Sequence, residues 1–131
     1  MKLTEPNTRT GWLRISHMNI NSLRFKSQIM QDFITSIKSH VVCISETWLD
    51  PNYESDDLRI DDYIFIRNDR GLRHSHTRKR RFVQGGGTAV YLHTTLNYKL
   101  LFASSIQHIS ETEYMILDVF PVKVQIPLVF Y

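Results

Sequence analysis

Two short segments carry the residue types that hard-metal chemistry needs: Asn19-Ile20-Asn21-Ser22-Leu23 and Ser45-Glu46-Thr47-Trp48-Leu49. The side chains of Asn19, Asn21 and Glu46 offer two amide oxygens and one carboxylate. A hard cation such as Mg²⁺ (or Mn²⁺) prefers oxygen ligands and keeps several waters, which a substrate phosphate can displace. Each segment follows a short apolar run that reads as a strand, and the stretch between them reads as an amphipathic helix. A strand–helix–strand unit sets two parallel strands side by side with their carboxyl ends at one crevice. The same residues have plainer readings. Asparagines serve in turns and caps, and a carboxylate after a buried strand can be a surface acid or a helix cap. Their joint placement favours a site.

The elements that must position these residues are legible in outline. Trp12 to Met18 alternates enough to be a strand, with Leu13 and Ile15 on one face. Asn21 or Ser22 is a candidate N-cap for the helix that follows. In that helix Ile29, Phe33 and Ile37 recur at helical spacing, and Met30 and Ile34 widen the apolar stripe. Ser39-His40 ends it. Val41 to Ile44 is a continuous apolar run, as expected of a strand buried on both faces. Asp50 to Asp62 reads as irregular surface. Tyr63 to Ile66 is a strand candidate, as are Thr88 to Leu92, Asn97 to Phe102, Glu113 to Phe120 and Val122 to Tyr131. Gly85-Gly86-Gly87 lacks the following Lys-Ser/Thr and the helix of a P-loop, so it reads as a flexible lead-in to a strand. Trp48 reads as a packing residue.

Charge is segregated. The chain carries +3 overall, yet Arg67 to Arg81 holds seven Lys or Arg against Asp69, a local +6, so the remainder carries −3. Just before this block, Asp50 to Asp62 holds six acids against Arg59. A focused basic patch points to a polyanionic partner. Gly71 to Gln84 has no apolar periodicity and reads as a long exposed loop. Within it Arg78-Lys79-Arg80-Arg81 is either a solvated run or a patch that contacts nucleic acid or directs nuclear import. Arg67 and Arg70 lie nearer the motifs and are candidates to track a phosphate backbone.

Length and composition bound the rest. At 131 residues, with 42% hydrophobic and 22% charged residues, the chain is about one domain with enough apolar content for a core. The single cysteine, Cys43, cannot form an internal bridge. No secretory signal is visible, and no apolar run approaches the ~20 residues that span a bilayer. The expected setting is intracellular, with no membrane partner. The chain ends on Ile126-Pro127-Leu128-Val129-Phe130-Tyr131, an apolar run that reads as an interrupted strand, so a truncated domain is expected.

Taken in order, these pieces resemble the endonuclease/exonuclease/phosphatase superfamily, and within it the apurinic-endonuclease-like domain of non-LTR retrotransposon proteins. The ordered set is Asn19-x-Asn21-Ser22-Leu23 with Lys26, Ser45-Glu46-Thr47-Trp48-Leu49, Tyr63 with Arg67-Asn68-Asp69-Arg70, and Gly85-Gly86-Gly87-Thr88-Ala89-Val90-Tyr91. The resemblance implies a four-layered α/β sandwich (αββα), truncated here, with residues 1–12 as a tail and 13–131 as the front of the domain, basic loop 67–84 included. It implies a metal-dependent DNA endonuclease, normally fused to further domains such as a reverse transcriptase and working in the nucleus. By position it makes Asn19 a catalytic residue near the scissile phosphate, Asn21 and Glu46 metal ligands with Mg²⁺ (or Mn²⁺), and Tyr114 the tyrosine that approaches the phosphate. The family's later motifs, which bear the catalytic base and histidine, do not occur, and none of the six histidines matches a motif. A fragment inactive by itself is the expectation. The alternatives are a non-enzymatic mobile-element remnant with weak nucleic-acid binding, and a phosphatase of the same superfamily.

Overall fold

The computed structural model describes residues 12–70, 85–104 and 113–122. The chain runs β1 (Ile15–Asn19), α1 (Ser27–Ile37), β2 (Val41–Ser45), a short 3-10 turn (Ser55–Leu58), β3 (Tyr63–Asn68), β4 (Thr88–His93), β5 (Leu96–Ala103) and β6 (Met115–Pro121). Residues 1–11, most of the basic loop and the final apolar run lie outside the described residues. So do Arg78, Lys79, Arg80 and Arg81.

Four strands form one sheet in the order β1-β2-β4-β3, and β5 pairs with β6 in a second. β1 and β2 are parallel, as the helical crossover between them requires, and β4 runs antiparallel to both β2 and β3. The alternation of side chains explains why the central strands are apolar throughout. Val42, Ile44, Ala89 and Tyr91 face α1, whose Met30 and Ile34 are buried against them. Val41, Val90 and Leu92, with half-buried Cys43, face the second sheet, where Leu96, Tyr98, Met115, Leu117 and Val119 meet them. The result is a helix layer and two sheet layers, an α/β architecture.

Four local expectations are corrected. Neither Asn21 nor Ser22 caps the helix; α1 starts at Ser27 after Lys26. Residues 20–23 instead continue alongside the other motif, Ser22 N–H donating to Glu46 O and Leu23 N–H to Thr47 O, both at 2.8 Å. The helix stripe is rotated: Met30 and Ile34 are buried, Phe33 is half-buried, and Ile29 is exposed. β1 begins at Ile15, and Leu13 and Ile15 are exposed. β1 is an edge strand, and the core between the sheets draws its first-sheet residues from β2 and β4. The Asp50–Asp62 segment, expected to be irregular surface, also sends Leu58 and Ile60 into the core, where Leu58 O accepts a 2.6 Å hydrogen bond from the Tyr91 hydroxyl.

At the far end of the sheet from the two motifs, the His40 ring is buried and its Nδ1 accepts a 2.9 Å hydrogen bond from Arg14 N–H. Burial, and then the Arg14 charge, hold its pKa below the ordinary histidine value. The unfolded chain therefore takes up a proton near pH 6.5 that the folded chain refuses, so stability falls as pH drops through that region. In urea titrations His40→Asn, which keeps an acceptor for Arg14 N–H, should lose less stability between about pH 7 and pH 5.5 than the parent chain does.

Candidate functional site

One row of paired residues marks the end of the sheet where the motifs meet. Asn19 pairs with Ser45, Ser45 with Thr88, and Thr88 with Asn68. Every site segment begins just beyond this row: Ile20 and Asn21 after β1, Glu46 to Trp48 after β2, Asp69 and Arg70 after β3, and Gly85 to Gly87 before β4. The second sheet joins at the same end. Buried Asn68 donates from Nδ2 to the Ser104 hydroxyl at 2.9 Å and to Tyr114 O at 3.1 Å, which ties the start of β6 to the end of β3.

Backbone strain collects here. Asn21, Ser22, Glu46 and Trp48 all have positive φ, between 48° and 80°, a region that side chains with a Cβ seldom adopt. The turns are held open by hydrogen bonds between segments. Beyond the β2–β4 ladder, Thr47 N–H donates to Gly87 O at 3.3 Å and Trp48 N–H to Gly86 O at 2.8 Å. Lys26 Nζ donates to Ile20 O and Asn21 O, both at 2.9 Å, and Arg24 Nε to Trp48 O at 3.0 Å. Arg24 also pairs with Asp50.

Glu46 is fixed through one oxygen. Its Oε2 accepts from the Trp48 indole N–H at 2.9 Å and from Gly86 N–H at 3.1 Å. Its Oε1 has no hydrogen-bond partner among the described residues. The Trp48 and Gly86 hydrogen bonds, in that order, hold the carboxyl pKa below its ordinary value, with a smaller contribution from the Arg70 charge. Glu46 is thus kept ionised and aimed, with one oxygen open. The triple glycine is more than a lead-in. Gly87 N–H donates to a Glu113 oxygen, and the other Glu113 oxygen pairs with Arg70. Gly86 and Gly87 have φ of +72° and +88°; a Cβ would strike the Arg70 guanidinium at Gly86 and the Thr47 hydroxyl at Gly87.

The sequence-derived residues fall as follows. Asn19, Asn21 and Glu46 lie on adjoining segments at and just beyond the row. The side chain of Asn19 accepts from Asn21 N–H at 3.2 Å, and Asn21 is exposed. Tyr114 stands at the same end, half-buried and immediately before β6. Arg67 is a staple: its guanidinium donates to Asp69, to Tyr53 O, to the Ser55 hydroxyl and to Asp50 O, at 2.6 to 3.0 Å. These contacts take up all five donors and leave none for a phosphate. Arg70, with its side chain 30% exposed, is paired with Glu113. Trp48, expected to pack, also orients the carboxylate. Glu113 is the site residue that sequence reasoning passes over, since nothing in a lone acid before a strand marks such a role; Asn68 falls within a recognised motif, and its part in joining the sheets comes from the cross-strand register.

Among the described residues no group of three or more His, Cys, Asp or Glu is placed to hold a metal ion. The donor types on the two adjoining segments, a carboxylate at Glu46 and side-chain amides at Asn19 and Asn21, are those a hard, largely hydrated cation takes. Among these residues no helix is long and apolar enough to cross a membrane.

No protein-family model and no curated protein sequence matches the chain. Solved structures do. An AP endonuclease from Leishmania major, LMAP, superposes with a TM-score of 0.57 at 16% identity over 92% of this chain and 40% of that one. The 3′ phosphatase NExo from Neisseria, solved bound to a product DNA hairpin, gives a TM-score of 0.47 at 14% identity over 68% of this chain and 32% of that one. The chain thus spans well under half the length of either structure. The superposition with LMAP shows that the chain shares the α/β fold of that AP endonuclease.

The Glu46 arrangement makes a direct prediction. Trp48→Phe keeps an aromatic ring but removes the main hydrogen bond to the carboxylate, so the Glu46 pKa should rise toward the ordinary value of about 4.5. Side-chain carboxyl shifts followed by NMR across acid pH would show it; an unmoved Glu46 titration would remove Trp48 from that role.

Proposed function

We propose that this chain carries the metal-binding side of a phosphodiester-cleaving site that acts on DNA. The observation that supports this most is the placement of Glu46: held through Oε2 by Trp48 and Gly86, with no partner for Oε1 among the described residues, on a segment bonded to the one that bears Asn19 and Asn21. In this reading Glu46 and Asn21 hold a Mg²⁺ (or Mn²⁺) ion, Asn19 orients the phosphate, and Tyr114 approaches it from the second sheet. When bound, the ion would stabilise charge on the phosphate and the leaving oxygen. The strained loops keep these groups fixed before substrate arrives, so little reorganisation is needed when charge develops.

Four titratable residues are not placed as a general base here: His40 and His93 sit at the opposite end of the sheet, and Asp50 and Asp69 are paired with Arg24 and Arg67. In this reading the chain is the metal-binding portion of a nuclease domain of the kind that retrotransposon proteins join to a reverse transcriptase and use in the nucleus, and the general base is a residue other than these. The same placement of His40, His93, Asp50 and Asp69 supports a second reading, a remnant that binds nucleic acid without cutting it. With Arg67 committed inside the fold, that binding would rest on Arg70 and on Arg78, Lys79, Arg80 and Arg81.

Plasmid nicking in Mg²⁺ separates these readings. A polypeptide extended past Tyr131 along its reading frame should nick, and its Glu46→Gln form should be slower by about a hundred-fold or more, on the order of what losing one preorganised electrostatic group does. Equal nicking by both forms would take Glu46 out of the mechanism. Binding that falls steeply with salt but never leads to nicking would favour the non-enzymatic reading.

A further inference from the structure

Phe25 is 93% exposed and has φ of +59°. It occupies the third position of a turn closed by Lys26 N–H donating to Leu23 O at 3.1 Å. At positive φ that position normally belongs to glycine or asparagine, and a bulky aromatic there is an outlier. The neighbours explain how the ring is presented. Arg24 turns inward to Trp48 O and Asp50, and Lys26 turns inward to Ile20 O and Asn21 O. Both flanking cations are thus tied to the two motif segments, and Phe25 is left pointing out on a braced backbone. An exposed aromatic on a loose loop loses freedom when it binds; one on a loop fixed at both sides has already lost it.

We propose that Phe25 is a nucleobase-stacking contact: an unpaired or unstacked base of the nucleic-acid substrate lies on its ring. The inference rests on the nucleic-acid reading above and adds to it a residue that determines how the strand is held. The ring supplies sequence-tolerant stacking and no charge, and it stands four residues from Asn21, so the base it holds would be near the phosphate at the site. A single ring whose loop neighbours Asn21, Ser22 and Arg24 are polar is suited to one base rather than to an apolar partner surface.

Fluorescence anisotropy with the 131-residue chain and a labelled single-stranded oligonucleotide tests this. Phe25→Ala should weaken binding roughly five-fold or more, Phe25→Trp should retain it, and Phe25→Leu should weaken it despite its apolar bulk. The slope of log affinity against log salt should stay the same in all three, because no phosphate contact is lost. Phe120→Ala, which removes an exposed phenylalanine from β6, should bind as the parent does. Phe25→Ala binding as tightly as the parent would overturn the stacking role and leave the nucleic-acid reading intact. A parent chain that binds no nucleic acid would overturn both. Since the ring is almost fully exposed, circular dichroism melts should show the variants folded as the parent is.

Discussion

Two carboxylates on one glycine turn hold this end of the molecule together. Glu46 accepts the N–H of Gly86, and Glu113 accepts the N–H of Gly87 while it pairs with Arg70. Residues from three parts of the chain, and from both sheets, are thereby locked to a segment with no side chains of its own. The consequence for Glu46 is specific. A carboxylate left to solvent samples many rotamers, whereas one that accepts two hydrogen bonds through a single oxygen has its other oxygen placed. The arrangement also explains these two glycines: both take positive φ, and a Cβ would press on Thr47 at Gly87 and displace the paired Arg70 guanidinium at Gly86. Any function at this end depends on that turn keeping its shape.

The packing below serves the same end. β2 and β4 are covered on both faces, by α1 on one side and by β5–β6 on the other, and they carry Ser45 and Thr88, the middle members of the row from which the site loops spring. The rigid part of the fold thus lies directly beneath the strained part. That is where several positive-φ residues can be tolerated, since the surrounding structure over-determines them. The cover thins outward: Leu13 and Ile15 near the edge strand, and Phe102, Ile116 and Phe120 on the second sheet, remain exposed. The site end, by contrast, is densely cross-bonded.

Much of this is legible in the sequence because it depends on local pattern. The strand–helix–strand unit follows from apolar runs and periodicity, and the adjacency of residues 19–23 and 45–47 follows from the right-handed crossover rule. The differences share a cause. Helical spacing fixes an apolar stripe without fixing which edge of it meets the sheet, so Ile29 belongs to the stripe and still faces solvent. The chemistry of Asn21 and Ser22 suits capping, yet the structure uses the backbone there to pair with the neighbouring loop. Counting charge along the chain makes Arg67 a surface cation, while its five donors are satisfied by groups up to seventeen residues away. Glu113 and Asn68 need the register between strands far apart in sequence. Arg78, Lys79, Arg80 and Arg81 lie outside the described residues.

The central claim of the proposal is that Asn21 and Glu46 share one cation, with Asn19 beside it. Paramagnetic broadening by Mn²⁺, followed in NMR spectra of the whole chain, tests it most directly. At low Mn²⁺ the side-chain amide signals of Asn19 and Asn21 and the indole N–H of Trp48, which is bonded to Glu46, should fade first and together, and Mg²⁺ should restore them. Broadening centred on the acidic stretch from Glu54 to Asp62, with those three signals unaffected, would contradict it.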